Sequence, residues 1–164
     1  MHTDTDELFL EAEKELKNDN YLEAKKLYEQ VLEDSPGYAA AHNSLGWLYY
    51  SKFENLRIAE NHYRAGITFD KNYPHCYWNL VDVMIDEKRW NEAVDFITNT
   101  CLHVVTLGRS QCYSKLGIIE ELQHQYDKAI ANYIQAIKNT CSNERIEDLK
   151  KDIARVEYKK SLDA

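Results

Sequence analysis

Four alanines mark a fixed period along this chain. Ala24, Ala59, Ala93 and Ala129 stand at the same place in the segments YLEAKKLYEQV, LRIAENHYRAG, WNEAVDFITNT and YDKAIANYIQA, and they are separated by 35, 34 and 36 residues. Such a period with small insertions belongs to stacked supersecondary units, each too small to bury its own apolar face. In the first segment Ala24, Leu27, Tyr28 and Val31 fall at i, i+3, i+4 and i+7, one apolar stripe along a helix. A second helical stretch, AAAHNSLGWLYY from Ala39 to Tyr50, lies ahead of the next anchor, whose own helix is predicted from about Leu56 to Phe69. The repeating unit is therefore a pair of amphipathic helices. Gly46, and Gly117 at the equivalent place, would let paired helices touch backbone to backbone, which offsets the roughly 1 kcal/mol that glycine costs inside a helix.

Composition agrees with a helical array. Two prolines and five glycines in 164 residues leave little room for flexible linkers, and 44% hydrophobic residues supply a core. From Asn143 onward the period fails, yet Ile146, Leu149, Ile153 and Val156 keep a narrow apolar stripe on a helix otherwise crowded with charge. A helix polar on its outer side suits the open end of a stack, so residues 144–163 are expected to cap the array. Acids and bases balance in that helix, which leaves the formal net charge of −8 on the repeats. A negative array repels phosphate backbones and anionic lipid, so the expected partners are proteins, not nucleic acid or membrane. The amino terminus has no basic start followed by an apolar stretch, and no run approaches a membrane span, so a cytoplasmic location is expected. Cys76, Cys101, Cys112 and Cys141 fall at unrelated spacings and read as free thiols.

These features together resemble the tetratricopeptide repeat (TPR) family, whose helix pairs carry a large residue, Leu-Gly, Tyr, Ala, an aromatic, Ala and Pro in that order. His42, Leu45, Gly46, Tyr49, Ala59, Tyr63 and Gly66 carry the resemblance in the second repeat, and Tyr113, Leu116, Gly117, Tyr126, Ala129, Tyr133 and Ala136 in the fourth. The first repeat has Leu8, Ala12, Tyr21, Ala24, Tyr28, Val31 and Pro36; the third has Tyr77, Leu80, Val81, Trp90, Ala93 and Ile97. The resemblance implies an all-α, right-handed solenoid of four helix pairs with a C-terminal capping helix. A single domain over 1–164 would divide into repeats at about 5–38, 39–73, 74–109 and 110–143. The family often has glycine in the turn between its two helices, where this chain has Asp19, Phe53, Lys88 and His124. Only Asp19 adopts a left-handed conformation readily, which leaves the turn geometry open.

Chemistry finds little to work with. His75, Cys76, Cys101, His103 and Cys112 are metal-ligand types, but they lack the paired spacing of a zinc site. No nucleophile elbow, phosphate loop or dinucleotide fingerprint is present, so neither cofactor nor metal is expected and the chain reads as no enzyme. What remains is the inner surface, which in the family is lined by the first helix of each repeat. Carried over, the resemblance assigns a peptide-binding groove to Phe9 and Glu13, to Asn43, Ser44, Trp47 and Tyr50, to His75, Trp78, Asn79, Asp82 and Asp86, and to Ser114, Lys115, Ile118 and Glu121. Trp47 and Trp78 fit equally well as groove anchors or as core between repeats. One subset of the family grips chaperone tails by their C-terminal carboxylate, but Phe9 and Glu13 stand where that clamp needs a base and an asparagine. The expected function is a non-catalytic adaptor or co-chaperone-like scaffold that binds a protein segment, with basic and apolar side chains suited to Glu13, Asp82, Asp86 and Glu121. The alternative is an assembly subunit that self-associates through tyrosine-rich outer faces.

Overall fold

The computed structural model describes residues 4–163; the ends of the expected 1–164 domain, residues 1–3 and 164, lie outside the described residues. The described residues form α-helices α1 (Asp4–Lys17), α2 (Tyr21–Asp34), α3 (Ala39–Ser51), α4 (Leu56–Phe69), α5 (Pro74–Asp86), α6 (Trp90–Asn99), α7 (Arg109–Leu122), α8 (Tyr126–Lys138) and α9 (Asn143–Leu162). The helix expected at 56–69 occupies those residues. Between α6 and α7 the extra residues of the third repeat are wound into two 3-10 turns, Cys101–His103 and Val105–Leu107, pinned by buried Cys101 and Leu107. The chain divides into two compact units, Met1–Val83 and Met84–Ala164, and the division falls within α5.

The alanine period has a packing cause. Ala24, Ala59, Ala93 and Ala129 are all fully buried, each on the stripe that a second helix presents inward. In the first unit, Ala12 of α1, Ala24, Leu27, Tyr28 and Val31 of α2, and Ala41, Leu45 and Leu48 of α3 make one cluster. In the second, Ala129, Tyr133 and Ala136 of α8 pack with Leu149 and Val156 of α9, so the apolar stripe of the last helix does cover the final pair.

Gly46 and Gly117 each admit a side chain and not a backbone. A Cβ placed on Gly46 would lie 2.5 Å from Cε1 of Tyr63, and one on Gly117 would lie 2.8 Å from Cε1 of Tyr133. In each case the edge of a tyrosine ring from the second helix fills the space, so the expected backbone contact is corrected to a ring in a glycine seat. Tyr28 holds the equivalent place opposite Ala12 in the first pair, and both are fully buried. This use of tyrosine also corrects the expectation of tyrosine-rich outer faces: of the twelve tyrosines only Tyr158 is exposed.

The turns between paired helices are left-handed even without glycine. Asp19, Lys88 and His124 have φ of 61°, 58° and 59°. Each is held by a matched pair of backbone hydrogen bonds. Asp19 N–H donates to Leu16 O and Asn20 N–H to Glu15 O; Lys88 donates to Ile85 and Arg89 to Met84; His124 donates to Glu121 and Gln125 to Glu120. This double closure satisfies carbonyls that a helix end otherwise leaves open, and it offsets the roughly 1–2 kcal/mol that a side chain costs in this conformation. In the second pair the left-handed residue is Glu54, with φ of 49°, and not Phe53, because the extra residue shifts the turn by one.

A test of the glycine seat is Gly46→Ala. Alanine is the better helix former by about 1 kcal/mol, but its methyl would overlap a ring that is itself buried, an overpacking that costs about 1–3 kcal/mol. Urea denaturation is expected to show a net loss of stability; a gain would mean that the ring moves freely and the seat is not tight.

Candidate protein-binding face

In the first unit the first helices of the repeats carry a line of polar contacts from helix to helix. Glu13 of α1 accepts a hydrogen bond from Tyr28 Oη at 2.5 Å and another from Ser44 Oγ of α3 at 2.9 Å. At the residue next to Ser44, Asn43 Oδ1 of α3 accepts a hydrogen bond from Asn79 Nδ2 of α5 at 2.8 Å. Beside this line Trp47 is exposed, with a relative accessibility of 36%, while Trp78 is partly buried. Trp47 is thus a surface side chain and not core. Phe9 turns the other way. Its ring lies 5.7 Å from that of Tyr28 and 5.0 Å from that of Tyr38, so it belongs to the packing beneath the face.

The acids assigned to the groove turn out to have structural partners. Tyr28 is buried and needs an acceptor for its hydroxyl, which Glu13 supplies; burial first, and then this hydrogen bond, push the phenol well above its usual range. Tyr63 is raised in the same way, mainly by burial, with Tyr50 and Asp82 adding smaller electrostatic contributions. Tyr50 and Asp82 are partly buried, and His75 is exposed, its ring 5.3 Å from that of Tyr73.

In the second unit Glu121 is buried in a cage of donors. Arg155 Nη2 reaches Oε2 at 2.7 Å, Arg155 Nε and Lys159 Nζ reach Oε1 at 3.0 and 2.8 Å, and Tyr133 Oη donates to Oε2 at 3.1 Å. The Arg155 guanidinium, followed by Lys159, holds the carboxyl down to about 2 against the opposing effect of burial. Glu121 therefore anchors α9 to α7, a task different from attracting a basic ligand. Ile118 is likewise drawn into the packing around Tyr133, and Ser114 is buried, whereas Lys115 is partly buried and Asp86 exposed. Arg155 and Lys159 were absent from the sequence-derived set. Their spacing of four beside Val156 was the available signal, since it puts both bases on one flank of the buried stripe.

The α3–α4 pair also brings two histidines together. His42 Nε2 donates to Pro36 O at 3.0 Å, which leaves its Nδ1 as the acceptor for His62 Nδ1–H at 3.1 Å. His62 stacks on Tyr49 and His42 on Phe69, both at 11° between ring planes. Among the described residues no group of three or more His, Cys, Asp or Glu could hold a metal ion. Burial pushes the Cys76 and Cys101 thiols up to about 12 and that of Cys112 to about 11, which suppresses their nucleophilic form.

Comparison of the sequence with protein-family models and with curated proteins finds no match. Solved structures do match. A thermophilic TPR protein of Thermus thermophilus superposes with a TM-score of 0.70 at 16% identity, over 95% of this chain and 82% of that one. This is the tetratricopeptide-repeat fold. PilF of Pseudomonas aeruginosa gives a TM-score of 0.75 at 19% identity, covering 96% of this chain and 69% of its own. The MamA protein gives 0.66 at 19% identity, covering 97% and 91%. No helix among the described residues is long and apolar enough to cross a membrane.

The histidine pair makes stability depend on pH with a definite sign. Burial, and then the neighbouring His42, lower the His62 imidazole from 6.5 to about 4. The unfolded chain therefore takes up this proton first, and the contribution of the pair, complete above about 6.5, is lost as pH falls toward 4. Glu121, lowered from 4.5 to about 2, withdraws its contribution in a second window below 4.5. Urea midpoints are expected to fall between pH 7 and 4, and His62→Gln is expected to flatten that decline while leaving the loss below 4.5. A wild-type midpoint constant over pH 7 to 4 would contradict the assignment.

Proposed function

We propose that this chain is a non-catalytic interaction module that binds a segment of a partner protein across the first-helix face of residues 4–83. The observation that carries the reading is Trp47, a large aromatic held at the surface beside a line of already satisfied polar groups. An aromatic of this kind, ringed by ordered polar side chains, is the usual form of an affinity anchor. Asn43 and Asn79 fix each other, so they offer a rigid amide surface to an extended backbone. The TPR fold supports the general role of an interaction scaffold, and the buried, protonated thiols of Cys76, Cys101 and Cys112 fit a non-catalytic one. Free thiols also suit a reducing compartment such as the cytoplasm.

The partner segment carries apolar and basic side chains. Within the first unit, Glu13 and Asp82 bring negative charge to the face, and the Tyr28 and Ser44 hydroxyls that both donate to Glu13 Oε1 are neutral and do not cancel its charge. Charges of this kind steer encounter and set salt dependence, while the aromatic supplies most of the affinity.

Proteins captured from the source cell and then titrated against purified chain by calorimetry test this reading. Trp47→Ala is expected to cost about 2 kcal/mol of binding with little change in thermal stability, and wild-type affinity is expected to fall as salt rises. Binding indifferent to both Trp47→Ala and salt, with the variant folded, would remove this face as the site.

A further inference from the structure

Adjoining that face at Trp47, at the edge of the first unit where the α1–α2 turn meets the C-terminal end of α3, lies an open cleft of about 900 Å³ lined in part by Glu15, Asp19, Tyr21, Leu22, Glu23 and Lys52. Three carboxylates and one ammonium group line it, and with Lys26, which pairs with Glu23, counted in, the local charge remains negative. Leu22, at the second position of a helix, points outward with a relative accessibility of 75%. The amphipathic stripe of α2 runs through Ala24, Leu27, Tyr28 and Val31 and does not need it. Lys52 shows what the cleft holds well. Its Nζ lies over the Tyr21 ring at 4.4 Å and over the Trp47 ring at 5.5 Å, between two aromatic faces. The acids around it have neighbours of their own: Asn20 Nδ2 donates to Glu15 at 2.6 Å, Tyr21 Oη donates to Asp19, and Lys26 Nζ pairs with Glu23 at 3.2 Å.

We propose that this cleft is a second docking surface, which takes a lysine- or arginine-bearing apolar segment of a partner protein. Lys52 is its internal stand-in: a cation seated on aromatic rings and bordered by carboxylates, which an incoming ammonium or guanidinium group replaces. The excess of negative charge selects a basic segment, and exposed Leu22 selects one with an apolar side chain beside the base. This goes beyond the first-helix face, which meets a different part of the partner and uses different residues except for Trp47.

The test is an NMR titration of the full ¹⁵N-labelled chain with the peptide acetyl-Lys-Leu-Arg-Leu-amide and with its glutamate counterpart acetyl-Glu-Leu-Glu-Leu-amide. The basic peptide is expected to shift the amides of Asp19, Tyr21, Leu22, Lys52 and Phe53 in a saturable, salt-sensitive way, and the acidic one to leave them unmoved. Lys52→Met, which vacates the aromatic seat, is expected to tighten the basic peptide about three-fold. Leu22→Ser, at a position too exposed to matter for folding, is expected to weaken it at least about two-fold. Shifts confined to Asn43, Asn79 and their neighbours would support the first-helix face and overturn the cleft. So would equal response to both peptides, or an affinity unchanged by both substitutions.

Discussion

In the first, second and fourth helix pairs a tyrosine ring is laid against a residue too small to resist it, and the third pair replaces the two with Ile97 and Val81. In the strong repeats the small residue is glycine and the approach is so close that a methyl group would overlap the ring; in the first pair it is Ala12. The arrangement makes each of these three helix pairs self-consistent: one helix gives up a side chain, and the other fills the space with a large, flat one. Tyrosine brings a complication that phenylalanine would not, because its hydroxyl must find an acceptor where water is excluded. Glu13 and Glu121 meet that need.

That requirement redistributes the charges of the molecule. Carboxylates that a sequence pattern assigns to a ligand are in part committed to the tyrosines beneath them, and Glu121 is further committed to Arg155 and Lys159. The C-terminal helix is held both by an apolar stripe and by this buried carboxylate, and breaking such a pair by removing one partner is far more costly than never having made it. In the proposed function, recognition falls on side chains with no structural duty of this kind, Trp47 among them.

The helix pairs, their period and the closing helix were legible in the sequence because each leaves a repeated local trace: alanines at a fixed spacing, stripes at i, i+3, i+4 and i+7, and a last stripe that outlives the period. The turns were less legible. Lys88 and His124 have poor intrinsic preference for a left-handed backbone, and what holds them there is a pair of backbone hydrogen bonds that no residue type announces. The site was only half legible for a similar reason. Phe9 stands where the second repeat has Asn43, and its place beneath the face follows from Tyr28 and Tyr38, whose rings pack on it. The role of Glu121 depends on bases 34 and 38 residues further along, a separation at which local pattern says nothing. The histidine pair spans 20 residues and was missed on the same ground.

The central claim, that acids on the first-helix face serve the buried tyrosines, is tested most directly by a double-mutant cycle on Glu13 and Tyr28. Stability of the wild type, Glu13→Gln, Tyr28→Phe and the double variant is measured by urea denaturation under identical conditions. If the hydroxyl and carboxylate form one unit, the two changes are non-additive, with a coupling of about 0.5–3 kcal/mol. Strict additivity would show that Glu13 does not hold the tyrosine, and would return it to the face as a free charge.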